Sequence, residues 1–306
     1  MSGSDEFARE LIAGLRATPR AVAPKWFYDH LGSQLFEQIC ELPEYYPTRT
    51  ELALLQRHAR EMAECIGPDA EIVEFGAGAS RKVRLLLDAL PSARRFVPVD
   101  ISAEHLEQAA AGLRADYPGL AVLPLGGDYT QGLVLPPPLG RRIGFYPGSS
   151  IGNFDPGPAA SLLRHFADLL QGGGLLIGVD LVKDPAVLHA AYNDSQGITA
   201  RFNLNLLARA NRELGADFAP DGFWHSAFYQ PALQRIEMHL VSNAAQTVTL
   251  RGERIGFARG DSLHTENSYK YTVEGFQQLA RQSGWVPRAV WQDPQALFSL
   301  HWLEPV

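Results

Sequence analysis

Apolar and polar residues alternate in blocks through the middle of the chain, and the blocks repeat. An apolar run at 71–75 precedes a segment with helical spacing at about 80–90, and a second run, RRFVPVD, precedes another helical segment at 102–115. The order returns in AVLPLGGD, RIGFYPGSS and GGGLLIGVDLV, with a helical segment at about 157–171. Strands that alternate with helices in this way predict an α/β fold with a doubly wound, largely parallel sheet.

The pattern changes near both ends of this region. Residues 272–283 have helical spacing, and GWVPRAVWQD and LFSLHWLEP predict two closing strands joined near Pro294 as an antiparallel hairpin. Between about 182 and 270, a helical stretch rich in Asn and Arg precedes alternating segments such as RIEMHLVS and QTVTLRGERI. We therefore predict an inserted α+β segment with a meander of strands, which forms a second lobe with the first 49 residues.

Composition excludes several classes of partner. The 306 residues carry 27 Lys and Arg against 34 Asp and Glu, a net charge of −7, and no long basic block, which disfavours nucleic acid. Cys40 and Cys65 lack metal-ligand spacing, so we expect neither a disulfide framework nor a metal site. The start, MSGSDEFARELIAGL, mixes charged and apolar residues, and no apolar stretch reaches membrane-spanning length. A cytoplasmic protein without membrane partners is expected.

The segment EIVEFGAGASRK, residues 71–82, predicts a buried strand that leaves the sheet through a glycine turn. Gly76 and Gly78 let a ligand approach the backbone closely. A dinucleotide fingerprint needs a third glycine where Arg81 stands, which disfavours an NAD-dependent oxidoreductase. Glu74 before the turn suits a cationic amino or sulfonium group, as in S-adenosylmethionine (SAM). An ordinary glycine-rich connection is the alternative.

Acidic residues also follow the next two strands. Asp100 ends the second strand, where a carboxylate can accept hydrogen bonds from both ribose hydroxyls, and Asp128 and Tyr129 follow the third. Asp128 could accept the adenine amino hydrogens. Each Asp alone would also suit a turn or a helix cap, and Asp100 alone would suit an NAD site. The combination with Glu74 and the glycine turn resembles class I SAM-dependent methyltransferases.

Longer segments in one order carry a more specific resemblance. They are PKWFYD at 24–29, LPEYYPTRTE at 42–51, GSSIGNF at 148–154, DLVKD at 180–184, RIEM at 235–238 and TENS at 265–268. In these segments the chain resembles the L-histidine Nα-methyltransferases of the ergothioneine pathway, enzymes that convert histidine into its trimethylbetaine, hercynine. The resemblance covers nearly the whole chain.

This resemblance implies a fold, a division into domains and a reaction. The fold is that of a class I methyltransferase, a Rossmann-like doubly wound sheet with a closing hairpin, plus the smaller inserted lobe. Residues 50–181 and 271–306 would form the SAM-binding methyltransferase domain, and 1–49 and 182–270 the substrate-binding domain. The expected substrates are free L-histidine and its mono- and dimethyl forms, with SAM as methyl donor and no metal.

The resemblance also carries individual residues onto this sequence. The resemblance places six residues around SAM: Tyr28, Gly76, Lys82, Asp100, Asp128 and Tyr129. The glycine-turn segment adds Glu74 and Gly78 to the cofactor residues. Those that hold the substrate's carboxylate and amino group are Tyr45, Asn153 and Tyr192. Those around the imidazole are Met238, Glu266 and Ser268. Tyr28, Tyr45 and Asn153 are the candidates for the catalytic part, because they would orient the amine or relay its proton.

The imidazole assignment agrees with the chemistry of Glu266 and Ser268. Two residues apart in a strand, they would project from one face. A carboxylate accepts an imidazole N–H and a hydroxyl donates or accepts at the other edge, whereas an indole has one ring N–H and a phenyl has none. Two alternatives stay open: a related N-methyltransferase for another free amino acid such as tryptophan, and a non-catalytic SAM-binding protein. Tyr146-Pro147 and Ser150 depart from the family pattern near Asn153.

Overall fold

The structure, a computed structural model, describes residues 3–78, 80–90 and 92–306. The chain forms two compact units. The insertion unit consists of Met1–Tyr45 and Asp184–Ser268, and the sheet unit of Tyr46–Lys183 and Tyr269–Val306. The roles predicted for these parts of the chain, substrate binding and cofactor binding, stay predictions at this point.

The regular elements within the described residues are named here in chain order. The α-helices are α1 Gly3–Arg16, α2 His30–Cys40, α3 Tyr46–Ile66, α4 Arg81–Leu87, α5 Ala103–Asp116, α6 Pro156–Leu170, α7 Pro185–Tyr192, α8 Ile198–Leu214 and α9 Val273–Gln282. The strands are β1 Glu71–Phe75, β2 Arg95–Asp100, β3 Ala121–Val122, β4 Leu125–Gly126, β5 Arg142–Tyr146, β6 Leu175–Asp180, β7 Phe223–Gln230, β8 Arg235–Ser242, β9 Gln246–Leu250, β10 Glu253–Phe257, β11 Ser262–Tyr269, β12 Trp285–Gln292 and β13 Phe298–Pro305. Short 3₁₀ helices span Pro24–Phe27, Ser150–Asn153 and Pro220–Gly222.

One eight-stranded sheet organises the sheet unit. Its order is β12-β13-β6-β5-β1-β2-β3, and β4 pairs with β2 beside β3. Strands β1, β2, β5 and β6 are parallel, and β12 and β13 close the sheet as the predicted antiparallel hairpin. The strand expected in AVLPLGGD is two short pieces, because Pro124 between them cannot donate a ladder hydrogen bond. The strand order reverses between β1 and β5, where ligands of such sheets bind.

Helices cover both faces of this sheet. Strands β1, β5 and β6 are buried along their whole length, as expected for parallel strands between two helical layers. Phe75 on β1 stacks on Phe166 of α6, with ring centroids 4.1 Å apart. On the other face α3 packs Leu54, Leu55 and Met62 into the core. No helix of the described ranges is both long and apolar enough to cross a membrane.

A buried charge cluster closes the amino ends of the central strands. Glu71, at the start of β1, forms ion pairs with Arg95 of β2 and with Arg142 of β5, whose Nε lies 2.7 Å from Glu71 Oε1. The Glu71 side chain is fully buried. This end of the sheet is therefore filled by side chains of the protein itself, and the opposite, carboxyl ends of the strands remain for a ligand.

The insertion unit has two small sheets where the sequence predicted one meander. Strands β7, β8 and β11 form a three-stranded sheet in the order β11-β8-β7, and β9 and β10 form a separate hairpin. Along β8, buried and partly exposed residues alternate. Asn203 of α8 joins two of these strands, because it donates to the backbone oxygen of His239 and accepts from Thr265 Oγ1. The sheet thereby gains a fixed helical cover.

Candidate cofactor and substrate sites

The glycine turn after β1 has the geometry that the sequence predicts. Gly76 and Gly78 have φ of +75° and +45°, in the region where only glycine is free of strain. The amides of Gly76 and Ala77 donate to the oxygen of Val99, at 2.8 and 3.1 Å, which fixes the turn to β2. A side chain at Gly78 would meet no atom within 4 Å. The turn thus presents open backbone at the carboxyl end of the sheet.

Glu74 is a buried acid with an unused oxygen. Its side chain is 2% exposed, and no residue of the described chain makes a hydrogen bond to Oε2. Burial raises the pKa of Glu74 well above the ordinary carboxyl value; Lys82 opposes this rise, while Glu51 and Asp100 add to it. An unpaired buried carboxylate is costly, so the site favours a cationic ligand group beside Glu74. The ammonium and sulfonium groups of SAM fit this requirement.

Asp100 and Asp128 have structural partners as well as their proposed ones. Asp100 accepts from the amide of Gly78 at 3.2 Å and from the amide of Ser102 at 3.0 Å. A carboxylate has about four acceptor sites, so ribose hydroxyls can still be bound there. Asp128 accepts from the backbone and hydroxyl of Thr130, which makes it a turn residue too. The turn roles of both Asp residues are thus observed, and their contacts with a cofactor stay predictions.

Tyr129 lies beside the glycine turn and has a tyrosine partner. A Cβ atom placed on Gly76 would lie 3.7 Å from a ring carbon of Tyr129. The Tyr129 hydroxyl is 3.2 Å from the Tyr146 hydroxyl. Burial raises the pKa of Tyr129 to about 12. Tyr146, a departure from the family pattern, is fully buried on β5 and supports Tyr129. Ser150, the other departure, closes its own turn by donating to the oxygen of Pro147.

Lys82 pairs with an acid that the sequence analysis did not single out. Its Nζ lies 2.7 Å from Oε2 of Glu51, which is fully buried. Both Glu51 oxygens accept from the amide of Gly148, at 3.0 and 2.9 Å. Glu51 is the last residue of LPEYYPTRTE and lies on the buried side of α3 with Leu54 and Leu55. The sequence signal that could have identified Glu51 is its charge at a core position of the amphipathic helix α3.

Asn153 ends the short helix Ser150–Asn153, which follows a strained turn. Gly148 has φ of +79°, and Ser149 has φ of +56°. A Cβ atom placed on Gly152 would lie 2.8 Å from the backbone oxygen of Tyr269, so this segment packs closely against the backbone of Tyr269. The Asn153 side chain is half-buried, so part of it is accessible to a ligand.

A buried cluster around Asp180 explains the second tyrosine of EYYP. The Tyr46 hydroxyl contacts both oxygens of Asp180, and the ammonium groups of Lys183 and Lys270 lie 2.6 and 2.7 Å from them. Burial alone would raise the pKa of Asp180, but Lys270 and Lys183 prevail and lower it. Burial also lowers the pKa of Lys183 to about 8. Tyr46 is thus part of the framework, which leaves Tyr45 as the candidate.

Four predicted residues of the insertion unit are close together. The rings of Tyr45 and Tyr192 meet edge to face with centroids 6.3 Å apart, and the Tyr192 hydroxyl donates to Ser268 Oγ at 2.7 Å. Burial raises the pKa of Tyr45 well above its ordinary value, and Tyr192, Cys40 and Glu266 add to the rise. Tyr45, Tyr192, Glu266 and Ser268 therefore share one polar environment in an otherwise apolar region.

Further aromatic and apolar residues surround this group. Phe36 lies edge-on to both Tyr28 and Tyr45, with centroids 5.7 and 6.3 Å apart. Phe202 of α8 packs on Tyr28 and Phe36. Met238 is buried on β8, the strand next to β11. Phe36 and Phe202 were not predicted, because an apolar residue on a helix is indistinguishable by sequence from any other core position.

A separate group of possible metal ligands lies on the same small sheet. One ligand atom from each of Glu237, His239 and His264 lies within 4.8 Å of the others. The two imidazoles are stacked, with centroids 4.7 Å and planes 15° apart, so an ion in the plane of one ring lies outside the plane of the other. Arg235 donates twice to Oε1 of Glu237. In this structure the three side chains therefore form a stacked, ion-paired cluster.

Comparisons with known proteins identify the family of the chain. Residues 7–305 match the model of a family described as SAM-dependent, histidine-specific methyltransferases. The chain is 43% identical over 305 residues to the histidine N-alpha-methyltransferase of Mycolicibacterium smegmatis. The aligned region covers 98% of this chain and 95% of that protein. Identity to the corresponding protein of Mycobacterium tuberculosis is 42% over 298 residues, 95% and 92% of the two chains. Identity to ergothioneine biosynthesis protein 1 of Neurospora crassa is 36% over 288 residues, 87% of this chain and 31% of that protein. The resemblance and fold inferred from the sequence are confirmed.

Proposed function

Because the chain belongs to the family of SAM-dependent, histidine-specific methyltransferases, we propose that it methylates the α-nitrogen of free L-histidine up to the trimethylbetaine. The names of the relatives support a place in ergothioneine biosynthesis. The observation that carries the proposal is the polar group of Tyr45, Tyr192, Glu266 and Ser268, which suits a small zwitterion with a polar ring. A cytoplasmic location without nucleic-acid or membrane partners stays a prediction.

The proposed cofactor residues divide by the chemistry of SAM, which supplies the electrophilic methyl group when bound. Glu74 would meet its cationic groups, because its free oxygen lacks another partner. Asp100 would accept the ribose hydroxyls and Asp128 the adenine amino hydrogens, next to the ring of Tyr129. Gly76 and Gly78 would let the cofactor approach the backbone. Lys82 would bind the cofactor's carboxylate, and Tyr28 would make a further contact with the cofactor.

The proposed imidazole contacts can distinguish histidine from other amino acids. Ser268 Oγ accepts from Tyr192, and we propose that its hydroxyl donates to a ring nitrogen that has a lone pair. Glu266 would accept the N–H of the other ring nitrogen. A neutral imidazole has one of each, whereas an indole has only the N–H. Met238 would contact the ring, and Tyr45, Tyr192 and Asn153 would hold the carboxylate and amino group.

The proposed catalytic contribution is positioning. Holding an amine in line with an electrophilic carbon is worth roughly 7 to 11 kcal/mol in favourable cases. The raised pKa of Tyr45 means that its hydroxyl keeps the proton near neutral pH. Tyr45 would therefore orient the amine as a neutral hydrogen-bonding group and would not act as a phenolate base. Asn153 stays the second candidate for orienting the amine, through its side-chain amide.

Incubation with SAM and a panel of free amino acids, analysed by mass spectrometry, tests the function. The expected products are mono-, di- and trimethylhistidine, with all methyl groups on the α-nitrogen and none on the ring. Tryptophan should compete poorly with histidine. Turnover of tryptophan without histidine would favour the related N-methyltransferase, and SAM binding without any methylated product would favour the non-catalytic alternative.

A further inference from the structure

We propose that Glu51 is a positioning residue for the cofactor: its buried carboxylate holds the Lys82 ammonium away from Glu74, whose own carboxylate is thereby left for the cationic groups of SAM. This inference rests on the proposed use of SAM, and it is independent of which amino acid is methylated. It assigns a role to an acid that neither the strand-end pattern nor the resemblance identified.

Glu51 is fixed from three sides within the sheet unit. Its Oε2 atom lies 2.7 Å from Lys82 Nζ, and both oxygens accept from the amide of Gly148. A side-chain carbon at Gly178 on β6 would be 2.2 Å from Oε1, so the carboxylate lies directly against that strand. Glu51 has no exposed surface, and these contacts hold its carboxylate in place. A lysine has a long flexible stem and takes its position from such a fixed partner.

Lys82 is near two buried acids and is in contact with one of them. It pairs with Glu51, while it acts on Glu74 only through space. Without the charge of Glu51, Glu74 would remain a buried carboxylate that interacts electrostatically with the ammonium. A Lys82–Glu74 pair would occupy the oxygen that is now without a partner. The site would also gain one positive charge, which penalises a cationic ligand more than a neutral one.

The same carboxylate also supports the segment that ends in Asn153. Gly148 begins this turn with φ of +79°, and its backbone amide donates a hydrogen bond to the Glu51 carboxylate. Lys82 Nζ would be 3.3 Å from a side-chain carbon at Gly148, so the lysine, the acid and the turn form one compact group. Glu51 thus couples the cofactor lysine to the start of the Asn153 segment.

Binding of SAM and of S-adenosylhomocysteine (SAH), measured by calorimetry without an amino acid, tests this role. SAH lacks the sulfonium charge and is otherwise nearly the same ligand. Glu51→Gln keeps an acceptor for Gly148 but cannot pair with an ammonium. SAM affinity should fall about tenfold or more, as expected for a lost charge-assisted contact, and SAH affinity by less than about threefold. The preference for SAM over SAH should therefore fall.

Glu71→Gln is the matched control, because Glu71 is equally buried and ion-paired but lies at the opposite end of β1. It should lower the melting temperature and leave both affinities unchanged. Lys82→Met should preserve or raise the preference for SAM, because it removes the competing cation while Glu51 stays held by Gly148. Adding Lys82→Met to Glu51→Gln should restore the preference to within about threefold of the wild type.

An unchanged SAM preference in folded Glu51→Gln, or an equal change in Glu71→Gln, would overturn the role of Glu51. Should Glu51→Gln fail to fold, a loss of SAM preference in Lys82→Met would overturn it instead. A wild-type protein that binds SAM but methylates another amino acid would remove the histidine proposal alone. A wild-type protein that does not bind SAM would overturn both.

Discussion

Binding of SAM should release a proton from Glu74, so the affinity for SAM should rise with pH. Burial raises the pKa of Glu74 well above the ordinary value of 4.5; Lys82 opposes the rise, and Glu51 and Asp100 strengthen it. Without ligand, the carboxyl group therefore keeps its proton to a higher pH than an exposed Glu. A cation placed against the free Oε2 atom favours the ionised form and lowers the pKa again.

The size of the effect follows from proton linkage. Between the pKa of Glu74 with SAM bound and its higher pKa without ligand, each binding event releases up to one proton. In this window the logarithm of Kd falls by up to about one per pH unit, or about 1.36 kcal/mol. Below the window Glu74 is protonated in both states, and above it Glu74 is ionised in both, so the affinity is independent of this group.

Calorimetry in two buffers of different ionisation enthalpy counts the released protons, and Glu74→Gln shows whether they come from Glu74. The variant should lose the slope, match the wild type at low pH, and bind SAM about 10- to 150-fold more weakly on the high-pH plateau. The ammonium of SAM is common to both measurements, so the difference in pH slope between the two proteins reports on Glu74. An identical pH slope in the two proteins would refute the reasoning.

Three further predictions concern other parts of the two sites. Asp100→Asn, which keeps an acceptor for the Gly78 amide, should weaken SAM binding about tenfold with no loss of secondary structure by circular dichroism. Glu266→Ala should lower kcat/KM for histidine about 10- to 150-fold and leave SAM affinity unchanged, with a smaller loss for tryptophan; equal losses for both would make Glu266 structural. Tyr146→Phe should lower the free energy of unfolding in chemical denaturation by about 1 to 3 kcal/mol, because the partly buried Tyr129 hydroxyl loses its partner, and the double variant with Tyr129→Phe should recover part of it.

The main sheet could be predicted because its signals are local. Blocks of apolar residues bounded by glycine and acidic residues mark β1, β2, β5 and β6, and the hairpin of β12 and β13 follows from two alternating runs with a turn between them. The third parallel strand is divided by Pro124, whose effect is also local but was outweighed by the apolar residues around it. The separation of β9 and β10 from the other small sheet depends on packing, which no local pattern encodes.

The two sites were predictable to different depths. Glu74 and Asp100 follow from a rule of topology, that ligands bind at the carboxyl ends of parallel strands. Their partners do not, because Glu51 and Lys82, or Tyr46 and Asp180, are far apart in sequence and meet only after folding. The contact between Tyr192 and Ser268, 76 residues apart, is of the same kind. The residues of the insertion unit came from the resemblance alone, and their proposed contacts with substrate stay predictions.

The balance of charge at the carboxyl ends of the sheet connects these observations. Among the described residues, two acids, Glu51 and Asp100, and one ammonium, Lys82, act on the buried Glu74, and this excess of acid is disfavoured in a buried site unless a cation joins it. Such a site stabilises a ligand with a sulfonium more than the same ligand without it. Trimethylation would consume three molecules of SAM, so the site would exchange a spent, less positive ligand for a cationic one after each transfer. We predict that Glu74 regains a proton each time the positive charge leaves and releases it each time the next cation binds.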